Sequence, residues 1–168
     1  MNHSRQRAMT LPELLTLVLL VAITAIYAVP SFSQWVEASK HRTLQETLWH
    51  HLQSARNRAV LQGQALEICP LSDNQQCGSD WNQGWILRMP ASAEVLAVEQ
   101  ADTNDATLHW RGYQQRILFH RSGQTPSSNG RFYLCHDSNV VWQLVISRSG
   151  RIRQTSDAEN QDEAYRCG

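Results

Sequence analysis

The residues with the clearest binding chemistry lie near the C-terminal end of the chain, in the stretch R-S-G-R-I-R at residues 148–153. Gly150 follows an apolar segment and suits a tight turn. If the chain then continues in an extended conformation, Arg151 and Arg153 project to the same side. Together with Arg148 across the turn, they form a small array of guanidinium groups suited to phosphate oxygens. On these six residues alone, an ordinary solvated hairpin is the competing interpretation.

The sequence offers little for catalysis. His50 and His51 are adjacent on a predicted helix and therefore point in different directions. The sequence contains no HExxH or GxSxG motif, no phosphate-binding P-loop and no recognisable pair of catalytic carboxylates. We therefore expect a protein that is not an enzyme and that uses no cofactor.

One segment near the N-terminus is long and apolar enough to span a membrane. No charged residue occurs from Leu14 to Val36, a run longer than the roughly 20 residues that a spanning helix needs. Glu13, at its start, is an ionisable group that is costly to remove from water. The preceding leader contains Arg5 and Arg7 and no acid, which places this end in the cytoplasm and later residues across the membrane. A secretory signal peptide and a plain signal anchor are the alternatives, but neither explains the acid.

The four cysteines, Cys69, Cys77, Cys135 and Cys167, all follow this segment and would lie where disulfides persist. They allow three pairings. We predict that Cys69 pairs with Cys77 across a short loop, and that Cys135 pairs with Cys167 and fastens the C-terminal tail to a strand. A structural zinc site is the weaker alternative, because there is no CxxC and the spacings do not match such a site.

The helices and strands that must position these residues follow from hydrophobic periodicity. Pro30 is expected to kink the apolar helix, and residues 31–62 indicate an amphipathic continuation. Its apolar stripe consists of Leu44, Leu48, Leu52, Ala55 and Ala59. The other faces, including Arg56 and Arg58, are predicted to be an ordinary solvated surface.

Gly63 is predicted to end this helix, after which period-two segments indicate strands. The predicted strands are Ala65–Cys69, Trp85–Met89, Val95–Glu99, Thr107–Trp110, Arg116–His120, Arg131–Cys135, Val140–Ser147 and Arg151–Gln154. Trp81 and Trp85 are expected in the core. The fold class is therefore α+β: a long N-terminal helix, first transmembrane and then amphipathic, packed on a C-terminal antiparallel β head.

The charge balance restricts any nucleic-acid site to a local patch. The 168 residues carry 15 basic and 15 acidic side chains, and loss of Arg5 and Arg7 with the leader would leave the protein slightly acidic. The length allows one domain beyond the helix.

The stretch A-M-T-L-P-E at residues 8–13 resembles the processing site of type IV pilins and pseudopilins, which usually have Gly at the position of Ala8 and Phe at that of Met9. The resemblance implies cleavage after Ala8 by a prepilin peptidase and N-methylation of Met9. It also gives Glu13 a role in assembly, in which the carboxylate neutralises the amino terminus of a neighbouring subunit inside the apolar filament core. The whole molecule would then have the pilin lollipop shape.

Three further stretches, S-A-R-N-R-A-V-L-Q-G-Q, D-W-N-Q-G-W and S-G-R-I-R, narrow the resemblance to the FimT/GspH family of minor pilins and pseudopilins, and within it to the FimT-like branch. In that branch a C-terminal GRxR motif is associated with DNA binding during natural transformation. The resemblance assigns DNA contact to Arg151 and Arg153, with Gly150 in the motif and Arg148 as a helper. We expect binding to be weak and non-specific, because four acidic residues follow the motif: Asp157, Glu159, Asp162 and Glu163.

The resemblance also implies an organisation and a set of partners. Residues 1–8 would be the cleaved leader, 9–30 the transmembrane and filament-core helix, 31–62 the amphipathic helix, and 63–168 the periplasmic head. The partners would be the prepilin peptidase, other major and minor pilins, the DNA phosphate backbone and the inner membrane. The protein would begin as a single-pass inner-membrane precursor and end in a pilus at the cell surface. A structural minor pilin, a GspH-like type II secretion pseudopilin and a signal-anchored periplasmic sensor are the alternatives.

Overall fold

The computed structural model describes residues 11–103 and 105–168, without the side chains of residues 27–30. The predicted processing site at Ala8 and Met9 lies outside these residues. By its internal contacts the chain forms two compact units, one ending at Ser39 and the other comprising Lys40–Gly168.

Helix α1, Leu11–Gln62, supplies the described part of the first unit. Glu13 lies in its first turn, and the Thr16 hydroxyl donates a hydrogen bond to the Glu13 carbonyl oxygen at 2.9 Å. The helix is continuous across Pro30, so the proline does not end it. Its apolar part is long enough to cross a membrane and is not buried within the protein, which indicates membrane anchoring.

The second unit contains the last part of α1 and the hydrophobic core. The predicted stripe is confirmed, because Leu48, Leu52, Ala55 and Ala59 are fully buried and Leu44 is nearly so. These side chains share one core cluster with residues of both sheets described below. The stripe thus faces apolar strand residues, and its burial is the main force that holds α1 to the sheets.

In the described part of the chain, eight strands follow α1 and form two four-stranded antiparallel sheets. They are β1 Leu66–Pro70, β2 Trp85–Arg88, β3 Val95–Glu99, β4 Thr107–Gly112, β5 Ile117–Phe119, β6 Gly130–His136, β7 Asn139–Ile146 and β8 Ile152–Gln154. The first sheet has the order β3-β2-β1-β5 and the second β4-β6-β7-β8. All eight predicted strands are present, with ends that agree to within two residues, and the α+β class is confirmed.

The short helices were not predicted from the sequence. A single turn of 3-10 helix, Trp81–Gln83, precedes β2. After β8 the chain forms α2, Asp157–Asp162, and a 3-10 turn, Ala164–Cys167, where the sequence analysis predicts only a tail. The backbone amide of Glu159 donates to the Ser156 hydroxyl oxygen at 3.3 Å, which caps the start of α2.

Two predictions about side chains in the head agree with the structure. Trp81 and Trp85 are buried, and the Trp85 indole donates to Nδ1 of His51 at 2.7 Å. The disulfides are Cys69–Cys77 and Cys135–Cys167, the pattern that the spacing favours. The second disulfide ties the C-terminal 3-10 turn to β6.

Candidate functional site

The turn between β7 and β8 positions the arginines that the sequence analysis selected. The amide of Gly150 donates to the Ser147 carbonyl at 2.9 Å, and the amide of Ser147 donates to the Arg151 carbonyl at 3.0 Å. Gly150 has φ +77°, a conformation that favours glycine. Arg148 and Arg151 flank this turn and are exposed.

A neighbouring loop holds the turn in place. A Cβ atom at position 150 would lie 1.9 Å from the Gly123 carbonyl oxygen, so only glycine fits there. Thr125, which is fully buried, donates from its amide to the Arg148 carbonyl at 2.9 Å and from its hydroxyl to the Ser147 carbonyl at 2.8 Å. Two hydrogen bonds therefore hold the first arm of the turn to the loop, and Gly150 packs closely against the same loop.

Arg56 of α1 is a third basic residue beside this turn, and the sequence analysis missed it. Its Nε donates to the Gly123 carbonyl oxygen at 3.2 Å and would lie 3.2 Å from a Cβ at Gly150. The prediction that this residue belongs to an ordinary solvated face is therefore wrong. Its position directly after the buried stripe residue Ala55 was the available signal, because residues that flank a buried stripe often contact the packed partner.

Arg151, directly before β8, and Arg153, within it, are both exposed, as expected for residues on the same side, while Ile152 between them is buried. Their electrostatic situations differ. Arg153 donates two hydrogen bonds to the Glu159 carboxylate, at 2.7 and 2.8 Å. Hydrogen bonding within this pair raises the pKa of Arg153 and lowers the pKa of Glu159. The Arg151 side chain, by contrast, has no ion pair or hydrogen bond among the residues that the structure describes.

The second sheet places further arginines in one row. The strand register aligns Arg111 of β4 with Arg131 of β6, and the row continues through Val145 of β7 to Arg153 of β8. Arg131 donates to the Glu163 carboxylate and to the Gln143 amide oxygen. Within the described chain, Arg111 is the member of this row that no carboxylate neutralises.

Glu163 connects the C-terminal segment to this row. Its carboxylate also accepts a hydrogen bond from Nε of Arg166 at 2.7 Å. The hydrogen bond from Arg166 and the charge of Arg131 lower the pKa of Glu163. Of the four acids expected to repel a polyanion, Glu159 and Glu163 are thus neutralised by arginines within the protein.

Taken together, the turn presents two exposed arginines, Arg148 and Arg151, that no described carboxylate neutralises, with Arg56 beside them. Guanidinium groups bind phosphate or carboxylate oxygens through paired hydrogen bonds. The arrangement is therefore able to bind an anionic group at the protein surface.

Comparisons with known proteins agree with this fold. A family model described as "Type II transport protein GspH" matches residues 45–150, which is more than half of the chain. Two crystal structures of the type IV minor pilin FimU of Pseudomonas aeruginosa strain PAO1 are similar, with 25% and 27% sequence identity and a TM-score of 0.57 each. The similarity covers 70% of this chain and 89% and 94% of the two FimU chains.

No curated protein matches the chain significantly. The long apolar helix followed by antiparallel sheets is the fold that the chain shares with FimU. Because the family model covers most of the head, including strands β1 to β7 and the turn up to Gly150, the chain belongs to the GspH family of minor pilin-like and pseudopilin-like proteins.

Proposed function

We propose that this protein is a FimT-like minor pilin, assembled into a type IV pilus, whose head binds extracellular DNA through the phosphate backbone for uptake in natural transformation. The observation that carries the proposal is the fixed turn that presents Arg148 and Arg151 without a carboxylate partner among the described residues. Phosphate contacts of this kind bind DNA without reading its sequence. We propose no catalytic role and no cofactor.

The arginines contribute unequally in this proposal. Arg148 and Arg151 are available for phosphate oxygens, and Arg56 adds positive charge beneath the turn. Arg153 contributes less, because a phosphate must compete with the two hydrogen bonds from Glu159. The slightly acidic mature chain limits attraction over longer distances. Because only two or three arginines contact phosphate, the dependence of binding on salt is shallow, with a slope of about −0.9 per phosphate neutralised.

Assembly follows the pilin pattern in this proposal. The prepilin peptidase cleaves after Ala8 and methylates Met9, and Glu13 then neutralises the amino terminus of a neighbouring pilin. Residues 9–30 lie in the inner membrane and later in the filament core, followed by the amphipathic helix 31–62. The periplasmic head, residues 63–168, reaches the cell surface in the pilus, where it meets DNA.

The experiment measures duplex binding by a fragment from Glu37 to Gly168, which retains the core cluster and both disulfides. In Arg148→Gln with Arg151→Gln, we expect at least about tenfold weaker binding to a 20-base-pair duplex at low salt. The dependence of log K on log salt should become shallower by roughly 1.8, because two phosphate contacts are lost. Fluorescence anisotropy gives the affinity, and thermal unfolding shows whether the fold is intact.

The matched control is Arg58→Gln, which removes an exposed positive charge from α1. It should change duplex binding less than about twofold, because residues two apart on a helix do not share a face, so Arg58 projects away from the side on which Arg56 contacts the loop. Unchanged duplex binding in the double variant, with an intact fold, would contradict the DNA-binding proposal.

A structural role without DNA binding is the second candidate. The family description, type II transport, favours a pseudopilin that primes or caps a secretion filament. If the unaltered protein enters a filament and its head binds no DNA at low salt, this second function replaces the first.

A further inference from the structure

A groove of about 510 Å³ lies beside the turn between β7 and β8. Its lining includes Arg111, Tyr113, Asn129 and Arg148. Arg148 thus belongs both to the turn and to the groove, so the two surfaces adjoin.

Two of the residues that line the groove are Gly112 and Gly130, which are paired across β4 and β6. A Cβ atom on Gly112 would lie 2.3 Å from the Trp110 ring, and one on Gly130 would lie 2.7 Å from the same ring. The two glycines therefore admit the Trp110 ring against the paired strands, and the groove lies beside this packed ring.

The groove combines positive charge with an exposed aromatic ring. Arg111 and Arg148 form no ion pair with any residue that the structure describes. Tyr113 is 85% exposed, so its ring is open to a ligand at the surface. A basic groove with an exposed aromatic platform is the arrangement by which proteins bind single-stranded nucleic acid, because phosphates follow the charges and a base stacks on the ring.

We propose that this groove binds a single-stranded segment of DNA, with phosphate oxygens at Arg111 and Arg148 and an unpaired base stacked on Tyr113. The Asn129 amide, which both donates and accepts hydrogen bonds, lies at the same groove and suits the polar edge of a base. An acidic peptide would satisfy the two arginines but would make no use of the exposed ring. The proposal rests on the proposed function, since it extends the arginine surface at the turn.

The experiment compares a 20-nucleotide oligothymidine with a 20-base-pair duplex, using the full chain in a neutral detergent. Tyr113→Ala should weaken oligothymidine binding about tenfold, the loss expected for one stacked base, and change duplex binding less than about twofold. Tyr113→Phe should restore oligothymidine binding, because the ring is kept. Tyr165→Ala, which removes a ring that is 69% exposed, is the matched control and should change neither affinity.

Arg111→Gln tests the positive charge of the groove separately from the Tyr113 ring. It should weaken oligothymidine binding about fivefold and make its salt dependence shallower by roughly 0.7, the value for one phosphate of a single strand. Arg58→Gln should leave the oligothymidine affinity unchanged.

The possible failures are distinguishable. If duplex binding depends on Arg148 and Arg151 but oligothymidine binding is unaffected by Tyr113→Ala and Arg111→Gln, the groove proposal is wrong and the proposed function stands. If neither DNA binds, both are wrong. If poly-glutamate competes for the groove with the same dependence on Tyr113, the groove is a site for acidic protein segments instead.

Discussion

At the scale of single residues, Glu159 determines how many arginines at the turn are available to an external anion. Its carboxylate accepts both hydrogen bonds that Arg153 donates to it. Because the pKa of Glu159 is lowered, the carboxylate stays charged at neutral pH and the pair persists there. In the proposed function, Glu159 therefore competes with DNA phosphates for Arg153.

Glu159→Gln should consequently strengthen duplex binding. The variant removes the competing charge, and Arg153 becomes a further phosphate contact, so affinity at low salt should rise about threefold to tenfold. The salt dependence should become steeper by roughly 0.9. Asp162→Asn is the matched control, because it makes the same change of charge on α2 at an exposed residue that has no ion pair within the described chain. Equal gains in the two variants would show that net charge alone, and not the release of Arg153, is responsible.

Gly150 is the residue on which the geometry of the turn depends. Gly150→Ala should destabilise the head by about 2 kcal/mol or more, since it adds a positive-φ strain of roughly 1 kcal/mol to a clash with the Gly123 carbonyl oxygen. Gly63→Ala separates the two effects, because Gly63 also has positive φ but a Cβ there would meet nothing within 4 Å. Urea unfolding of the Glu37 to Gly168 fragment gives both values, and equal losses would contradict the role of the close approach.

At the scale of secondary-structure elements, the C-terminal segment is held to the second sheet by charge as well as by a disulfide. Glu163, at the end of α2, bonds Arg131 of β6 and Arg166 of the 3-10 turn. Cys167 is linked to Cys135 of the same strand. These contacts hold the C-terminal segment against β6, and they neutralise Arg131 in the middle of the arginine row.

This attachment predicts a dependence of stability on pH. The pKa of Glu163 is lowered in the folded protein from an ordinary value of about 4.5, so its contribution is fully present above that value. It is lost as the pH falls through the lowered pKa. We therefore expect the free energy of unfolding to decrease below about pH 4.5, as measured by urea unfolding of the fragment. Glu163→Gln should lower the free energy of unfolding at pH 7 and make its decrease below about pH 4.5 smaller. Asp162→Asn should leave that decrease unchanged.

The strands and the helix could be predicted from sequence because each has a local signal. The stripe from Leu44 to Ala59 repeats at helical spacing, and the strands are apolar segments separated by turn residues. Helix α2 has no such signal, because its six residues, DAENQD, are polar and depend on the Ser156 cap and on contacts with β7.

Some residues of the candidate site could likewise be predicted from the sequence, and others could not. The turn was predictable from Gly150, and the exposure of Arg151 and Arg153 on the same side followed from the alternation of an extended chain around Ile152. The neutralisation of Arg153 was not predictable, because its partner lies on an unpredicted helix. The row that contains Arg111 and Arg131 depends on the register of strands that are distant in sequence, which composition and periodicity do not determine.

At the scale of the whole molecule, a chain with few available arginines needs more than one copy to hold DNA firmly. The formal net charge of the chain is zero, so a single head attracts DNA only through its local patch of arginines at the turn. In the proposed filament, several heads or several pili that contact one DNA molecule would raise the effective affinity without any new contact. DNA binding and assembly are therefore linked in this proposal, and assembly depends on the N-terminal helix.

Glu13→Gln should reduce incorporation of the chain into filaments by at least about tenfold and leave its abundance in the membrane unchanged. In the proposed assembly, the loss of the carboxylate leaves the amino terminus of a neighbouring subunit unpaired in an apolar environment, where an isolated charge is strongly unfavourable. Quantitative immunoblotting of sheared filaments and of membranes measures both quantities. Glu46→Gln is the matched control, because it removes an acid from the same helix at an exposed position that pairs with Arg42, and it should assemble normally. Normal incorporation of Glu13→Gln would show that the acid has no part in assembly.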